Sequence, residues 1–459
     1  MKGVVMSQPR FSIVIPTRER ADTLRWSLQT TLDQDFDSYE VVVCDNHSSP
    51  GTRDVVEAAA SPRVRYVRAP RPLAMSANWE LAVGEATGEY VTVLGDDDGL
   101  LPLALTEADH LIHRHGTKAL RCQRGLYTWP TLPTPKDANF LHLPLTRYVK
   151  ECDAREWIAK LPRFEAGADT LPMIYNSFIH RDVIARHREL VGRVFASAYP
   201  DIYSGIGLGY VAGRFLSVGL PLNIAGLSGR SNGMATLITD ARNPIADEFF
   251  RLNRSDGYPP HPTIPDLPVW PVPTLDSFQH AKTFLFPRDD GLRVDRQLAA
   301  RVVLDAVPLT AADDRAKARW VIRDTLADRP DLLPWFDELA DPPPFVPHVL
   351  GPFKPGFQGD HLNLRTVPLG IENVRDAVRF AANLLGLSPG AIDYDMPPRG
   401  EPIDAANRRA AACEARAVRA EAELAGALRN GALRYVPRRV AWKMAGMIGS
   451  LGRRAAGLW

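Results

Sequence analysis

Short apolar runs rich in β-branched residues alternate with helix-like segments over about the first 110 residues. Buried parallel strands form continuous apolar runs, whereas amphipathic helices repeat their apolar residues every three or four positions. Their alternation is typical of a parallel sheet with crossover helices. We therefore predict an α/β, Rossmann-like domain with strands at Phe11–Pro16, Glu40–Asp45, Arg63–Arg68 and Tyr90–Leu94, and helices at Arg20–Leu32, Thr52–Ala60 and Met75–Thr87.

The composition changes after this region, and with it the expected organisation. Proline-rich stretches at Tyr258–Pro273 and Pro397–Pro402 are typical of extended linkers. We predict a first domain over residues 1–235, a helical and proline-rich accessory region over 236–400, and a C-terminal helix with a basic tail over 401–459. Further helices are predicted at Asp201–Gly219, Leu292–Leu339, Glu372–Leu385 and Ile403–Leu428.

Net charge and cysteine usage exclude several classes of protein. The formal net charge is +1, so no global basic excess points to nucleic acid as a partner. The four cysteines form no CxxC pair, which argues against a disulfide framework and a zinc site. The first ten residues lack the apolar core of a signal peptide, and no stretch approaches the ~18 consecutive apolar residues of a membrane span. We expect a cytoplasmic protein.

Acidic residues follow two of the predicted strands directly. Asp45 ends the second strand, and Asp96, Asp97 and Asp98 follow the fourth. Ligands of open α/β sheets bind at the carboxyl ends of the strands, and adjacent carboxylates repel one another unless a cation is present. Hard cations shared with substrate phosphates are held by such oxygen ligands. A solvated turn or a helix N-cap is the alternative interpretation of the acidic run.

The motifs resemble a known family when they are read in order. Residues 13–18 are Ile-Val-Ile-Pro-Thr-Arg, residues 41–46 are Val-Val-Val-Cys-Asp-Asn, Asn78 precedes Trp79, and residues 95–99 are Gly-Asp-Asp-Asp-Gly. This order resembles glycosyltransferase family 2, strongly over Phe11–Leu105 and more weakly to about Gly233. The resemblance implies a GT-A fold, an inverting reaction, a nucleotide-diphosphate sugar donor and Mn²⁺ or Mg²⁺ as cofactor. The implied function is sugar transfer to a glycan or lipid-linked acceptor, in bacterial surface polysaccharide synthesis.

The same resemblance implies roles for individual residues. Asp45 would contact the base, and Asp96 and Asp98 would be the ends of a DXD motif that holds the metal, with Asp98 as the direct ligand. Many members have an aspartate where this chain has Gly95. An asparagine that pins a helix to a loop is the alternative for Asn78. The implied nucleotide-binding residues are Pro16, Thr17, Glu19, Asp45, Asn78, Asp96 and Asp97.

An inverting transferase needs a carboxylate that accepts the proton of the acceptor hydroxyl. Members of the family carry this acid after the sheet, often in a Glu-Asp pair that opens a helix. Asp201, in the segment Tyr199-Pro-Asp-Ile-Tyr203, occupies the corresponding place and is the candidate catalytic base. An N-cap role is the alternative, since aspartate is common at helix starts.

A second polar patch lies at Gly226–Gly233. Its backbone N–H groups, together with Ser228, Arg230 and Ser231, are suited to a diphosphate, because arginine and exposed amides bind phosphate oxygens. A surface turn is the alternative, since serine, glycine and asparagine clusters commonly form turns.

Residues 429–459 carry seven arginines and lysines, no acid, and interleaved tryptophan and large aliphatic residues. Such a segment is suited to the surface of an anionic membrane, where it would meet a lipid-linked acceptor. The alternative is a helix that docks on the protein itself or on a partner subunit.

Two other functions remain open at this point. A sugar nucleotidyltransferase also uses a Rossmann-like sheet. Such an enzyme is expected to have a glycine-rich loop after the first strand, whereas residues 16–20 of this chain contain no glycine. A non-catalytic scaffold with a degenerate transferase domain need not keep acids at several strand ends, as this chain does.

Overall fold

A computed structural model describes residues 8–133, 135–175, 177–231, 244–307, 312–341 and 354–386. Its strands are β1 Phe11–Thr17, β2 Tyr39–Asp45, β3 Val64–Arg68, β4 Tyr90–Val93, β5 Gly99–Leu100, β6 Ala119–Thr128, β7 Phe140–Pro144, β8 Val149–Asp153, β9 Ser177–His180, β10 Arg214–Leu227, β11 Gly356–Gln358 and β12 His361–Arg365. Its α-helices are α1 Ala21–Leu32, α2 Pro50–Ala58, α3 Met75–Gly84, α4 Ala104–His115, α5 Ala154–Lys160, α6 Arg181–Val191, α7 Pro200–Ala212, α8 Pro244–Ser255, α9 Pro271–Leu285, α10 Arg296–Ala306, α11 Ala312–Asp324, α12 Leu333–Glu338 and α13 Val374–Leu384.

The described strands form one mixed sheet with the order β11-β12-β7-β6-β9-β4-β1-β2-β3. Strand β1 pairs in parallel with β2 on one side and with β4 on the other, and β2 pairs in parallel with β3. Strand β10 pairs in parallel with β6 and antiparallel with β8 and β5. The carboxyl ends of β1, β2 and β4 therefore meet at one edge, and the predicted α/β, Rossmann-like architecture is confirmed.

Apolar side chains fill both faces of this sheet. Alternate residues of β1 point to opposite faces, so Ile13 and Ile15 belong to one core cluster and Val14 to the other. Helices α1 and α4 contribute to the first cluster, whereas α3, α6 and α7 contribute to the second. The β-branched runs of the sequence are thus strands buried on both faces, as their continuous apolar character predicts.

The predicted helix at Asp201–Gly219 is correct in its first part and wrong in its second. Helix α7 ends at Ala212, Gly213 adopts a φ of 72°, and β10 begins at Arg214. The glycines of α7 allow close packing, since a Cβ on Gly207 would lie 2.5 Å from Nε2 of His187. The residues after Gly213 form a strand because two neighbouring strands, β6 and β8, bury them on both sides.

A segment from the predicted accessory region joins the sheet. Strand β12 pairs antiparallel with β7, and α13 packs its buried residues Val374 and Val378 against Gly99. Asp33 at the end of α1 accepts two hydrogen bonds from Arg375, at 2.7 and 2.8 Å. The three-part domain division stays a prediction. The predicted helices within Leu292–Leu339 and Glu372–Leu385 are present as α10–α12 and α13.

No helix within the described ranges is long and apolar enough to cross a bilayer. The predicted helix at Ile403–Leu428 and the basic tail at residues 429–459 lie outside the described residues.

Candidate active site

The acidic run lies at the carboxyl ends of β1 and β4, beside the first turn of α1. The hydroxyl of Thr17, at the end of β1, donates a 2.7 Å hydrogen bond to Oδ2 of Asp96. Arg20 lies 2.7 Å from Oδ1 of Asp96 and 3.1 Å from Oδ2 of Asp97. The negative charge of the run is therefore partly neutralised by a guanidinium of the protein itself.

These charges strongly affect one another because water is largely excluded. Burial raises the pKa of Asp96 to about 6, and Arg20 opposes this rise. The pKa of Arg20 lies well above its usual range, since the carboxylates of Asp96 and Asp97 outweigh the effect of its burial. An edge with this charge balance attracts a further cation or a group that competes for Arg20.

Asp98 points away from Arg20 and towards the backbone. Its Oδ2 accepts the N–H of Gly95 at 2.9 Å, and its Oδ1 accepts the N–H of Gly226 at 2.6 Å. Tyr175 donates a further hydrogen bond to this carboxylate. Burial and the neighbouring Asp97 raise the pKa of Asp98 to about 7. A Cβ on Gly95 would lie 2.7 Å from Oδ2 of Asp98, so glycine at this position permits the arrangement.

Asp45 is fully buried at the end of β2 and accepts hydrogen bonds from three donors. Its Oδ1 accepts the N–H of Ser48, and its Oδ2 accepts the hydroxyl of Tyr66 at 2.5 Å and the guanidinium of Arg68 at 2.8 Å. The side chain thus fixes the loop after β2 and the end of β3. Its role in contacting a base stays a prediction.

The loop after β1 is tied to two neighbouring loops. Pro16 is partly buried in β1, and Glu19 is exposed with a φ of 54°. The carboxylate of Glu19 accepts the N–H and the hydroxyl of Ser49, and its carbonyl accepts Arg230 at 2.8 Å. The predicted pocket residues of this loop therefore lie close to the second polar patch.

That polar patch contacts the acidic run directly. The hydroxyl of Ser228 donates to Oδ2 of Asp97 at 2.8 Å, and Ser228 is only 3% exposed. A Cβ on Gly226 would lie 1.9 Å from the carbonyl oxygen of Asp97, so only glycine fits there. The N–H of Ser231 donates to the carbonyl of Ser228. Ser228 and Arg230 are thus brought to the predicted site, although a diphosphate role for them stays a prediction.

Asn78 contacts the sheet through Cys44. The thiol of Cys44 lies 3.4 Å from Oδ1 of Asn78, and Asn78 is 3% exposed on α3. This contact fits the interpretation of Asn78 as a residue that pins its helix.

Asp201 lies in the first turn of α7. It is partly buried, and burial raises its pKa, while the backbone N–H of Ile202 and the charge of Arg124 lower it. Helix α7 has Tyr199 rather than Asp201 as its N-cap residue. A carboxylate with a raised pKa near a positive charge is suited to accept a proton.

Three residues of the site were not predicted from the sequence. Arg20 neutralises the acidic run, Tyr175 binds Asp98, and Arg124 lies over the ring of Tyr175 at 5.5 Å from its centroid. Arg124 therefore lies near the acidic run through Tyr175, and its charge lowers the pKa of Asp201. Of these three residues, only Arg20 could have been found from a local sequence pattern, because it is a charged residue at the start of a helix that follows a strand.

The carboxylates fit a metal ion only in part. Among the residues that the structure describes, no group of three histidine, cysteine or acidic residues is arranged to hold a metal. Both oxygens of Asp98 already accept protein donors, so its predicted role as the direct ligand stays a prediction that requires these bonds to break. Asp96 and Asp97 share Arg20, and one or two carboxylates with phosphate oxygens can hold Mg²⁺.

Comparison with known proteins gives a match over the part of the chain that carries the acidic run, and Asp201 and the second polar patch lie beyond it. Residues 12–184 match the family described as Glycosyl transferase family 2. The chain is 33% identical over 101 residues to a GalNAc(5)-diNAcBac-PP-undecaprenol beta-1,3-glucosyltransferase of Campylobacter jejuni, and this match covers 21% of the chain and 33% of that protein. It is 31% identical over 94 residues to the succinoglycan biosynthesis protein ExoO of Rhizobium meliloti, over 20% of the chain and 27% of that protein.

The matches therefore span about a third of these relatives. Among solved structures, S. aureus TarS 1–349 in complex with UDP-GlcNAc is similar with a TM-score of 0.45 and 13% identity, over 71% of this chain and 83% of that one. A mannosyltransferase from Pyrobaculum calidifontis in complex with GDP-Man and Mn²⁺ is similar with a TM-score of 0.35 and 16% identity, over 73% of this chain and 89% of that one.

Proposed function

We propose that the chain, whose residues 12–184 match Glycosyl transferase family 2, transfers a sugar from a nucleotide-diphosphate sugar to a glycan or lipid-linked acceptor, with inversion at the anomeric carbon. The observation that supports this most is the placement of two acidic centres. The Asp96–Asp98 run lies at the carboxyl ends of the strands, and Arg124, which lies over the ring of Tyr175 next to Asp98, lowers the pKa of Asp201. One centre is suited to the leaving diphosphate and the other to the acceptor hydroxyl.

The donor would bind at the edge formed by β1, β2 and β4. Asp45 would contact the base by exchanging its present bonds to Tyr66 and Arg68. Arg20 and Arg230 are suited to the diphosphate because guanidinium groups bind phosphate oxygens in pairs. The diphosphate would replace the acidic run as the partner of Arg20. Asp96 and Asp97 would then be free to hold Mn²⁺ or Mg²⁺, which neutralises charge on a departing diphosphate.

In the chemical step, the acceptor oxygen forms a bond to the anomeric carbon while its proton passes to the carboxylate of Asp201. The bond between the anomeric carbon and the diphosphate oxygen breaks, and its electron pair leaves with the nucleoside diphosphate. Attack on the face opposite to the leaving group inverts the anomeric configuration. The raised pKa of Asp201 suits this role, since a stronger base accepts the proton more readily.

The names of the relatives guide the choice of acceptor. The C. jejuni relative is named for a polyprenyl-diphosphate-linked glycan, and ExoO for the synthesis of succinoglycan. We extend this to a bacterial surface polysaccharide, or its lipid-linked precursor, as the product of this chain. A cytoplasmic reaction at the membrane surface is consistent with such an acceptor.

A donor panel tests the proposal. UDP-, GDP- and dTDP-sugars are incubated with the full chain and Mn²⁺ or Mg²⁺, and release of the nucleoside diphosphate is measured with and without chelator. We expect one nucleotide to bind and its sugar to be turned over, with loss of turnover in Asp97→Asn. Absence of binding for every nucleotide would contradict a transferase and favour a scaffold.

A further inference from the structure

The loops after β1 and β2 each contain a residue in a strained backbone conformation. Among the residues that the structure describes, five that are not glycine have a φ between 46° and 62°. Two of these five lie in the two loops: Glu19, with a φ of 54°, and His47, with a φ of 59°. Residues with a side chain seldom adopt this left-handed region because Cβ approaches the following carbonyl oxygen. Such strain is concentrated at ligand-binding sites, where the surrounding structure holds it in place.

The two neighbours of His47 in sequence hold it in this conformation. Asn46 and Ser48 are only 5% and 2% exposed. The amide of Asn46 exchanges two hydrogen bonds with the backbone of Leu73, each at 2.8 Å, and the N–H of Ser48 donates to Oδ1 of Asp45 at 2.8 Å. His47 between them is exposed. Two buried and bonded residues therefore present a strained imidazole to the outside of the loop.

The imidazole of His47 is itself held in place. Its Nδ1 lies 3.3 Å from the carbonyl oxygen of Ala69, the residue that follows β3. Because a carbonyl only accepts, Nδ1 carries the proton of this hydrogen bond. The N–H of Ala69 in turn donates to the carbonyl of Asp45. The ring thus lies between the carboxyl ends of β2 and β3, and a ring that is ordered in advance loses little conformational entropy when a ligand binds.

His47 lies within reach of a nucleotide at the proposed donor edge. The strand order β4-β1-β2-β3 separates β4 from β2 by two strand spacings of about 4.8 Å each. The acidic run follows β4, and Arg20 follows β1. A nucleoside diphosphate with its phosphates at Arg20 can therefore extend along this edge and bring its base to the ends of β2 and β3, where His47 is exposed.

We propose that His47 stacks on the base of the bound nucleotide and positions it, while Asp45 contacts the edge of the same base. This inference rests on the proposed function and names a base-positioning residue for it. Stacking acts on the flat face that every base has, so it strengthens nucleotide binding without selecting one base. The strain at His47 is then the cost of holding an aromatic ring where glycine would fit more easily.

The test separates the base from the phosphates. The full chain is titrated with UDP, GDP, dTDP and pyrophosphate in the presence of Mg²⁺, and binding is followed by calorimetry for the wild type and His47→Gly. We expect the nucleotide that binds the wild type best to bind His47→Gly about 5- to 150-fold more weakly, the range for loss of one stacked base. Pyrophosphate has no base, so its affinity should stay unchanged. Glycine adopts a φ of 59° without strain, so this variant should melt at the same or a higher temperature than the wild type.

Ala60→Gly is the matched control. Ala60 is exposed and has a φ of 46°, but it precedes β3 and lies at the opposite edge of the sheet. This variant relieves the same kind of strain and should keep the nucleotide affinity of the wild type. Two further variants identify the contact at His47. His47→Tyr keeps a ring and should retain most of the nucleotide affinity, whereas His47→Asn tolerates the left-handed conformation without a ring and should bind nucleotide as weakly as His47→Gly.

The outcomes distinguish this inference from the proposed function. Equal nucleotide affinity of the wild type and His47→Gly, or an equal loss for nucleotide and pyrophosphate, would overturn the stacking role and leave the transferase in place. Full nucleotide affinity in His47→Asn would also overturn it, because a polar group without a ring would then be sufficient. If the wild type binds none of the nucleotides, the proposed function fails together with the stacking role. If His47→Gly does not fold, His47→Asn takes its place in the titration.

Discussion

The two sides of the proposed site differ in how far the protein satisfies its own polar groups. On the proposed donor side, at the carboxyl ends of β1, β2 and β4, the oxygens of Asp45 and Asp98 accept protein donors and Asp96 is paired with Arg20. On the proposed acceptor side, at the start of α7, Asn253 shares a cleft with Tyr199, and both of its polar atoms lack partners among the described residues. A ligand on the donor side would have to exchange existing bonds, whereas one buried water would satisfy the amide of Asn253.

This difference has a consequence for donor binding. A diphosphate is a strong competitor for Arg20, since arginine binds phosphate oxygens in a bidentate manner. Its arrival would release carboxylates that are costly to leave unpaired, so we expect the binding of the donor and of a cation to be coupled.

The largest expected effect tests the acceptor side. In Asp201→Asn, the transfer rate should fall by about 100- to 10,000-fold because the proton acceptor is lost. Nucleotide affinity should stay within about twofold, since the donor side is unchanged. Initial rates and equilibrium titration measure the two quantities separately.

Asp295→Asn is the control for that change, because Asp295 caps α10 and asparagine is an equally good cap. It should keep full activity. A transfer rate in Asp201→Asn equal to that of this control would exclude Asp201 as the base.

The second effect tests the donor side. Arg20→Met leaves the carboxylates of Asp96 and Asp97 buried without their guanidinium, so we expect a loss of about 3–5 kcal/mol in the free energy of unfolding at pH 8. Denaturant unfolding measures it. The double variant Arg20→Met, Asp96→Asn should recover part of the loss.

The exposed pair between Arg53 and Glu57 gives the comparison, since both side chains are more than half exposed. Arg53→Met should change the free energy of unfolding by less than about 1 kcal/mol. Equal effects of the two methionine variants would mean that the donor side does not depend on its internal ion pair.

A smaller effect is expected for Gly95→Ala. Its Cβ would lie 2.7 Å from Oδ2 of Asp98, so the carboxylate must move, at a cost of about 1–3 kcal/mol. Gly84→Ala, at the end of α3 with open space around its Cβ, should be neutral or stabilising by up to about 1 kcal/mol. Thermal unfolding compares the two variants, and equal stabilities would show that Asp98 is free to rotate.

The smallest effect concerns the pH dependence of transfer. Burial raises the pKa of Asp201 and Arg124 lowers it, so Arg124→Gln should raise it further. The base must be ionised to act, so the acid limb of the kcat/KM profile should move to higher pH. Lys118→Gln removes a charge that pairs with Asp182 and should leave the limb in place. A shift of the acid limb to lower pH in Arg124→Gln would show that Arg124 does not stabilise the ionised form of Asp201.

Local patterns predicted the first four strands and the acids that follow them, but not the contacts between segments that are distant in sequence. The β-branched runs and the acids that follow them lie within about 100 residues, and each strand carries its own signal. The orientation of Asp98 instead depends on the N–H of Gly226, which is 128 residues away in sequence. Hydrophobic periodicity indicates local secondary structure and does not predict a contact between residues so far apart in sequence.

The same reason explains what the sequence did not reveal about the acceptor side. Tyr199, Asn253 and Asp276 line one cleft, although a proline-rich stretch with the composition of a linker separates Asp276 from the other two in sequence. The start of β10, up to Gly219, was predicted as part of a helix because the glycines before it carry no strand signal. Its burial between β6 and β8 is a tertiary effect that overrides local propensity.

The docking of α13 and β12 on the N-terminal part of the chain has a consequence for biogenesis. Arg375 meets Asp33 across 342 residues, so the core beneath α1 stays incomplete until this late segment leaves the ribosome. At about 5–20 residues per second, the nascent chain would expose apolar surface for roughly 20–70 seconds. We therefore expect a nascent chain arrested before residue 356 to recruit chaperones. A nascent chain that extends beyond residue 386 should no longer bind them.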